Sequence, residues 1–192
     1  MNGKLPLIGF SGAPFTIASY IIEGEGSKNY LHTKTLMYKE PAAWRLLMEK
    51  ISSVVGVYLN AQIDAGVDAL QIFDSWVGCL GPDDYKEFVL PYTKKAISSV
   101  KGKAPVINFS TNTGTYLDLV KKAGGDVIAV DWRVRLDDAW KTVGYDVGIQ
   151  GNLDPAVLFT DAAAIKKRAK EILDMAGGRP GHIFNLGHGI LV

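Results

Sequence analysis

The sequence predicts an α/β fold of the TIM-barrel type that is incomplete, with about six of the eight strand–helix units. Short apolar runs rich in β-branched residues recur along the chain, and helical patterns separate most of them. This alternation is typical of parallel strands joined by right-handed crossovers. A polar or glycine-containing segment also follows each run, and polar segments at the carboxyl ends of all strands favour a barrel. An open doubly wound sheet is the structural alternative.

Six segments are predicted to be strands because they are short and apolar, and because a polar or glycine-rich break follows each of them. The first, a buried strand, leads through a glycine–proline turn into a helix. Its polar groups therefore come just after the strand's carboxyl end, where α/β folds place their chemistry. The predicted strands are residues 6–10, 69–73, 106–109, 127–130, 147–149 and 183–185.

The clearest helix is predicted from residue 41 to about residue 65, where apolar side chains recur at i, i+3 and i+4. Pro41 suits its first turn, and Gly66 is well placed to cap its end. Another helix is predicted over residues 82–100, which Pro91 should kink or divide. Shorter helices are predicted over residues 115–123, 136–142 and 161–176.

Composition limits the class of protein. The chain has 192 residues, of which 47% are hydrophobic, and we expect one domain over residues 1–192, a partial barrel. The formal net charge is +1 and no basic stripe is present, so we expect no nucleic-acid partner. The single cysteine, Cys79, excludes an internal disulfide and any site that needs several thiolates.

Residues 5–22 carry no charge, a length that on its own could suggest a membrane span or a signal peptide. Pro6, Gly9, Gly12 and Pro14 would interrupt a spanning helix repeatedly, so a buried strand followed by a loop fits better. We therefore expect a soluble, cytoplasmic chain without a membrane partner.

Several side chains at the predicted strand ends could carry chemistry. His188 lies between two glycines, which leaves its imidazole accessible, although it could instead satisfy loop carbonyls. Tyr20, on the first predicted helix, is either functional or amphipathic packing. Asp74 and Ser75 follow the second strand, where Asp74 also suits a turn cap.

The common catalytic motifs are missing. No glycine–lysine phosphate loop, nucleotide fingerprint or nucleophile elbow is present, and the three histidines are too scattered to predict a metal centre. Arg133 and Arg135 could clamp a carboxylate bidentately, or they could lie solvated at the surface. A cofactor-free, metal-free enzyme and a binding module both stay open.

Taken together, the strand-end segments resemble the uroporphyrinogen decarboxylase family. The opening segment, from Gly9 through Pro14 and Tyr20 to Gly24, is similar to one of that family's two signatures. Supporting segments occur in the family's order over essentially the whole chain: Gln71-Ile72-Phe73-Asp74-Ser75, Leu80-Gly81-Pro82, Val130-Asp131-Trp132, Gln150-Gly151-Asn152-Leu153-Asp154-Pro155 and Asn185-Leu186-Gly187-His188-Gly189.

The resemblance implies a barrel enzyme that decarboxylates the four acetate side chains of uroporphyrinogen to give coproporphyrinogen, without metal or organic cofactor, as a homodimer. A protonated pyrrole ring would act as the electron sink. The resemblance also implies site residues. Tyr20 and Ser75 fall where the family has substrate-contacting hydroxyls, Phe73 matches a cleft-lining aromatic residue, and His188 matches a histidine near the end of the barrel. Tyr20 and His188 are the predicted catalytic residues.

The match also has gaps. The family's arginine-bearing signature would precede Gly3, and an aspartate near the second strand and a final helix are missing too. We therefore expect a fragment that lacks two amino-terminal strands and the last helix. It should expose two sheet edges and apolar interior. Our hypothesis is that the isolated chain is inactive, and marginally stable or oligomeric.

Two alternatives belong to other reaction or function classes. Related barrels transfer methyl groups to a thiol by means of zinc, but they need a histidine–cysteine pair and a further cysteine, which Cys79 alone cannot provide. The chain could instead be a non-catalytic module that binds a tetrapyrrole. Bound zinc would indicate the first alternative, and porphyrin binding without decarboxylation would indicate the second.

Overall fold

A computed structural model describes residues 5–24, 27–100, 102 and 104–190, and in this part of the chain six parallel strands form one sheet. The strands are β1 (Ile8–Gly12), β2 (Ala69–Asp74), β3 (Val106–Ser110), β4 (Val127–Val130), β5 (Gly148–Leu153) and β6 (His182–Leu186). The helices are α1 (Pro14–Glu23), α2 (Leu31–Lys39), α3 (Pro41–Asp64), α4 (Pro82–Phe88), α5 (Leu90–Ser98), α6 (Leu117–Ala123), α7 (Leu136–Val143) and α8 (Ala162–Ala176).

The strand order distinguishes between the two folds that the sequence left open. A doubly wound sheet reverses its order at a switch point, whereas here β1 to β6 follow one another as in a barrel. The sheet also curls. The Gln150 amide on β5 donates to Gln71 Oε1 on β2 at 3.4 Å, although a flat sheet would hold these strands about 14 Å apart. The fold is therefore an incomplete TIM-type barrel.

The helices cover the outer face of this curled sheet. Side chains alternate along each strand, and the main core takes Leu70, Ile72, Val106, Ile128 and Ile149 from the strands. Helix α3 begins and ends close to the predicted bounds, and Gly66, with a φ of 93°, follows its last turn. Its buried residues are Trp44, Met48, Ile51, Ser52, Val55, Gly56 and Leu59.

The helix predicted over residues 82–100 is divided, as the position of Pro91 indicated. Helix α4 ends at Phe88, and Pro91 lies in the first turn of α5, where its missing N–H breaks no helical hydrogen bond. The indole N–H of Trp44 donates to the Phe88 carbonyl at 3.0 Å. A carbonyl released by the break is thereby satisfied.

The prediction of a buried first strand was wrong in both bounds and burial. Strand β1 extends to Gly12 because Ser11 and Gly12 stay in parallel register with β2. Ile8 and Phe10 are 50% and 62% exposed. The reason is that β1 lies at the edge of the sheet and pairs with β2 alone among the described residues.

One further prediction was wrong, and one helix was missed. Residues 150–153 were expected to form a loop but continue β5, because each of them pairs in register with β6. Helix α2 was not predicted, since its sequence is mostly polar and lacks a clear apolar period.

The sheet is open on both sides within the described residues, with β1 at one edge and β6 at the other. Apolar side chains are exposed at both edges, as expected for an incomplete barrel; they are Ile8, Phe10, Ile183 and Phe184. None of the helices in the described ranges is long and apolar enough to cross a membrane.

Candidate active site at the strand ends

A cleft of about 500 Å³ opens at the carboxyl ends of β2, β3, β4 and β6. The segments that follow those strands form most of its wall, and the connection between α1 and α2 completes it. The described residues that line it are Ser27, Lys28, Tyr30, Ser75, Trp76, Gly78, Cys79, Thr111, Asn112, Trp132, Arg133 and His188. The polar segments after these four strands therefore converge, whereas the predicted segments at residues 10–14 and 150–155 do not line this cleft.

Two glycines let the backbone segments approach closely enough to form this cleft. A Cβ on Gly78 would collide with Asn112 and with the Thr111 carbonyl. A Cβ on Gly187 would collide with the backbone around Trp132. Only glycine fits such contacts between backbones, so Gly187 fixes the position of His188 beside the end of β4.

Ser75 and His188 line this same cleft. The Ser75 carbonyl accepts a hydrogen bond from Thr111 Oγ1 at 2.6 Å, which ties the β2 end to the β3 end. The imidazole of His188 packs near the rings of Phe109, at 6.2 Å, and Trp132, at 6.4 Å. No described residue forms a hydrogen bond with its nitrogens, so they are available to a ligand.

Tyr20 lies beside the cleft rather than in its wall. Its ring meets the ring of Trp76 edge-on, with 6.0 Å between centroids, and its side chain is exposed. Tyr30 packs against the same indole at 5.9 Å. Trp76, which lines the cleft, therefore connects Tyr20 to the cleft wall.

Phe73 lies on the inner face of the sheet, one step below the cleft. Its ring contacts Phe10 at 5.9 Å and Phe109 at 5.7 Å, both edge-on. Because Phe109 also contacts His188, these rings form a continuous apolar surface from the β1 edge to the histidine. Phe73 belongs to this surface, although it does not line the 500 Å³ cleft itself.

A buried carboxylate organises the β4 end. Asp131 accepts hydrogen bonds from the backbone N–H groups of Asn112, at 2.7 Å, and Arg133, at 3.1 Å. It also accepts one from the Arg133 guanidinium at 2.6 Å. The Asp131 carbonyl in turn accepts from the Asn152 amide at 2.8 Å. Strand ends β3, β4 and β5 are thereby held together.

Asp74, at the end of β2, is 2% exposed and points away from the cleft toward α1. Its Oδ1 accepts from Thr16 Oγ1 at 2.7 Å, while Oδ2 has no hydrogen-bond partner in the described structure. Burial raises the pKa of Asp74 to about 7, against the opposing effect of the Thr16 hydrogen bond. The sequence suggested that Asp74 could cap a turn. Its side chain does not do so, because its one hydrogen-bond partner is Thr16 on α1.

Cys79 packs against the core and also reaches the cleft wall. Burial raises the pKa of its thiol to about 11, so the thiol is protonated at neutral pH. The Lys34 ammonium donates to the Cys79 carbonyl at 2.6 Å. Within the described ranges, no three histidine, cysteine, aspartate or glutamate side chains are grouped as metal ligands.

The sequence did not indicate that the connection between α1 and α2 forms part of the cleft wall. Lys28 and Tyr30 come from a connection that follows no strand, so their position gave no signal of a site. Trp76 and Trp132 each come shortly after a strand, and that position was the signal that could have found them. Arg135, considered together with Arg133, is instead paired with Asp137 outside the cleft.

Known structures confirm the fold. A methyltransferase from Methanosarcina mazei superposes on 95% of this chain and 53% of its own with a TM-score of 0.80 at 21% identity. A putative vitamin-B12-independent methionine synthase from Listeria monocytogenes superposes on 96% of this chain and 57% of its own, with a TM-score of 0.61 at 15% identity. At these identities the likeness shows a shared architecture.

Sequence relatives are much closer. The uroporphyrinogen decarboxylase of Carboxydothermus hydrogenoformans is 60% identical over 99% of this chain and 55% of its own length. That of Sorangium cellulosum is 54% identical over all of this chain and 55% of its own. This chain thus spans about half the length of the curated relatives it matches. The family model described as "Uroporphyrinogen decarboxylase (URO-D)" matches residues 1–192, so the chain belongs to the uroporphyrinogen decarboxylase family.

Proposed function

We propose that this chain forms part of an enzyme that removes the four acetate carboxyl groups of uroporphyrinogen and yields coproporphyrinogen. One observation carries the proposal: Ser75 and His188 share one aromatic-walled cleft in a chain that the family model matches throughout. Tyr20, Phe73, Ser75 and His188 are the proposed substrate contacts, and Tyr20 and His188 are the proposed catalytic residues.

The reaction asks two things of the site, which are to hold carboxylates and to transfer protons. A pyrrole carbon first gains a proton; the bond between the acetate methylene and its carboxylate then breaks, and the electron pair enters the ring as carbon dioxide leaves. A second proton completes the methyl group, and the ring loses the first. Hydroxyls of Tyr20 and Ser75 can donate hydrogen bonds to carboxylates, and the nitrogens of the His188 imidazole can donate or accept a proton.

The aromatic surroundings fit this chemistry. Trp76 and Trp132 line the cleft around the imidazole of His188, and the buried ring of Phe109 packs against that imidazole. In a closed barrel such surroundings would exclude water from the reacting atoms, and exclusion of water strengthens the polar interactions that remain.

We expect the 192-residue chain alone to show no turnover of uroporphyrinogen, whereas a longer hybrid should be active. The hybrid joins this chain to the part of the Carboxydothermus hydrogenoformans relative outside the matched region. The described residues form six strands with two open sheet edges, whereas a closed barrel of this type has eight strands. Coproporphyrinogen formation can be followed by chromatography after oxidation to porphyrin. Full turnover by the chain alone would refute the expected inactivity, and an inactive, folded hybrid would refute the proposed function.

In the active hybrid, Tyr20→Phe should lower kcat about 100-fold, because it removes a hydroxyl while keeping the ring that packs on Trp76. Tyr58→Phe is the matched control, since Tyr58 is an exposed tyrosine on α3. Steady-state kinetics measure both variants. Unchanged kcat in Tyr20→Phe would assign Tyr20 to packing only.

We also propose that the whole protein is a cytoplasmic homodimer without a nucleic-acid or membrane partner. Residues 1–192 are proposed to belong to a single domain. The net charge of +1 supports the absence of a nucleic-acid partner, and the single cysteine agrees with a reducing compartment. The homodimer is what the resemblance to the family implies. Light scattering coupled to size-exclusion chromatography measures the oligomeric state of the hybrid.

A further inference from the structure

We infer that Arg133 forms a carboxylate-binding subsite on the β4 side of the cleft and holds one carboxylate of the tetrapyrrole substrate. The inference rests on the proposed function, which names the substrate class but leaves Arg133 without a role. The observations that support it are the way the guanidinium is held, the donors it keeps free, and the charge of the cleft around it.

The guanidinium of Arg133 is fixed on two sides. Its carbon lies 4.0 Å from the ring centroid of Trp132, so the planar cation stacks on the indole. Asp131, which is 3% exposed, accepts one of its N–H groups at 2.6 Å. Asp131 is itself held by two backbone N–H groups. A long, flexible side chain is thereby held in one orientation before any ligand arrives.

Arg133 keeps donors available despite this pairing. A guanidinium has five N–H groups, and within the described residues the side chain of Arg133 donates only to Asp131. About half of the side chain, 48%, is still exposed. The remaining edge can therefore donate two parallel hydrogen bonds to a ligand carboxylate, the geometry in which arginine binds carboxylates best.

The charge of the cleft favours an anion. Its described lining contains the cations Lys28 and Arg133 and the imidazole of His188, but no aspartate or glutamate. Arg135 and Arg168 differ, because exposed acidic side chains already pair with them and neither lines this cleft. Uroporphyrinogen carries eight carboxylates, so a cation fixed in the cleft wall has a ligand within the proposed substrate.

The test uses the hybrid and measures binding and kinetics separately. We would titrate it with uroporphyrin and with coproporphyrin, following porphyrin fluorescence, and measure kcat and KM on uroporphyrinogen. The variants are Arg133→Gln, Arg133→Lys and, as the matched control, Arg135→Gln. We expect Arg133→Gln to raise the Kd for uroporphyrin and the KM about tenfold with kcat little changed. Arg133→Lys should recover part of the loss, and Arg135→Gln should stay within about twofold of the parent.

The two porphyrins identify which carboxylate is bound. Coproporphyrin retains the propionates and lacks the acetates, so an equal loss for both ligands assigns a propionate, and a loss for uroporphyrin alone assigns an acetate. If Arg133→Gln binds both porphyrins as tightly as the parent while the hybrid turns over, the subsite is refuted and the proposed function stands. If the parent hybrid is folded but does not turn over, the proposed function fails by its own readout. Partial rescue by lysine and dependence on the ligand's acetates would not follow from a purely structural role.

Discussion

Replacing Asp74 by asparagine should abolish a dependence of folding stability on pH that amounts to about 4 kcal/mol in the parent protein. In the folded chain, burial raises the pKa of Asp74 from 3.8 to about 7. The folded state therefore holds the proton more tightly than the unfolded state does. The stability contributed by this group is fully present below pH 3.8, falls as pH rises, and is lost once pH passes about 7.

The slope expected between these two values is about 1.4 kcal/mol per pH unit, toward lower stability at higher pH. Asparagine carries no titrating proton and can still accept the hydrogen bond from Thr16, so Asp74→Asn should flatten that slope. Urea unfolding of the chain or the hybrid at pH 5, 6, 7 and 8 measures it. Asp118→Asn is the control, because Asp118 is exposed on α6 and pairs with Lys122. Equal slopes in the parent and Asp74→Asn would show that Asp74 does not titrate in this range.

Asp74 is also connected to the candidate active site through Thr16. Thr16 Oγ1 donates to Asp74 and accepts from the Trp76 backbone N–H at 3.3 Å, so it joins α1 to the segment after β2. Tyr20 is one turn further along α1, and its ring contacts Trp76. Ionisation of Asp74 would place an unpaired buried charge at this junction.

Trp140→Ala should lower the free energy of unfolding by about 3–5 kcal/mol, the second large effect we expect. Trp140, on α7, is 2% exposed, and its indole N–H donates to the Val147 carbonyl at 3.0 Å. Its ring also contacts Tyr145 at 5.5 Å and His182, at the start of β6, at 6.4 Å. Alanine would leave a cavity and an unsatisfied carbonyl where α7 supports β5 and β6.

Thermal and urea unfolding measure this loss of stability, and two control variants help to assign its cause. Trp140→Phe keeps an aromatic ring and loses the indole donor, so it should cost less than alanine. Tyr145→Phe keeps the ring that packs on Trp140 and should change stability little, since Tyr145 is exposed. A loss below about 1 kcal/mol for Trp140→Ala would mean that the ring is not part of the cooperative core.

Sequence patterns located most of the strands well, including β6 at the open edge of the sheet. Strands β2, β3 and β4 match the predicted segments to within a residue, because central strands of a parallel sheet are continuous apolar runs. They did less well for β1 and β5. An edge strand has no second neighbour to bury it, and residues 150–153 are too polar to be read as a strand until pairing with β6 is known.

Some residues of the candidate site could likewise be predicted from the sequence, and others could not. Strand-end position and the family resemblance together pointed to Ser75 and His188, and the structure places both in the wall of one cleft. Strand-end position could not reveal Lys28 and Tyr30, because a connection between two helices carries no signal of the strand end it faces. Strand-end position also could not distinguish Arg133 from Arg135. In the structure Arg133 lines the cleft, whereas Arg135 pairs with Asp137.

By itself, the sequence determined the alternation of strands and helices, the side of the sheet that carries polar residues, and the resemblance to one family. These depend on local periodicity and on short motifs, which are read along the chain. Only the tertiary structure decided that the sheet curls, that Asp74 is buried with one hydrogen bond, and that Arg133 stacks on Trp132 in the cleft wall. Each depends on residues brought together by packing, and the burial and orientation of a charge are set by those neighbours.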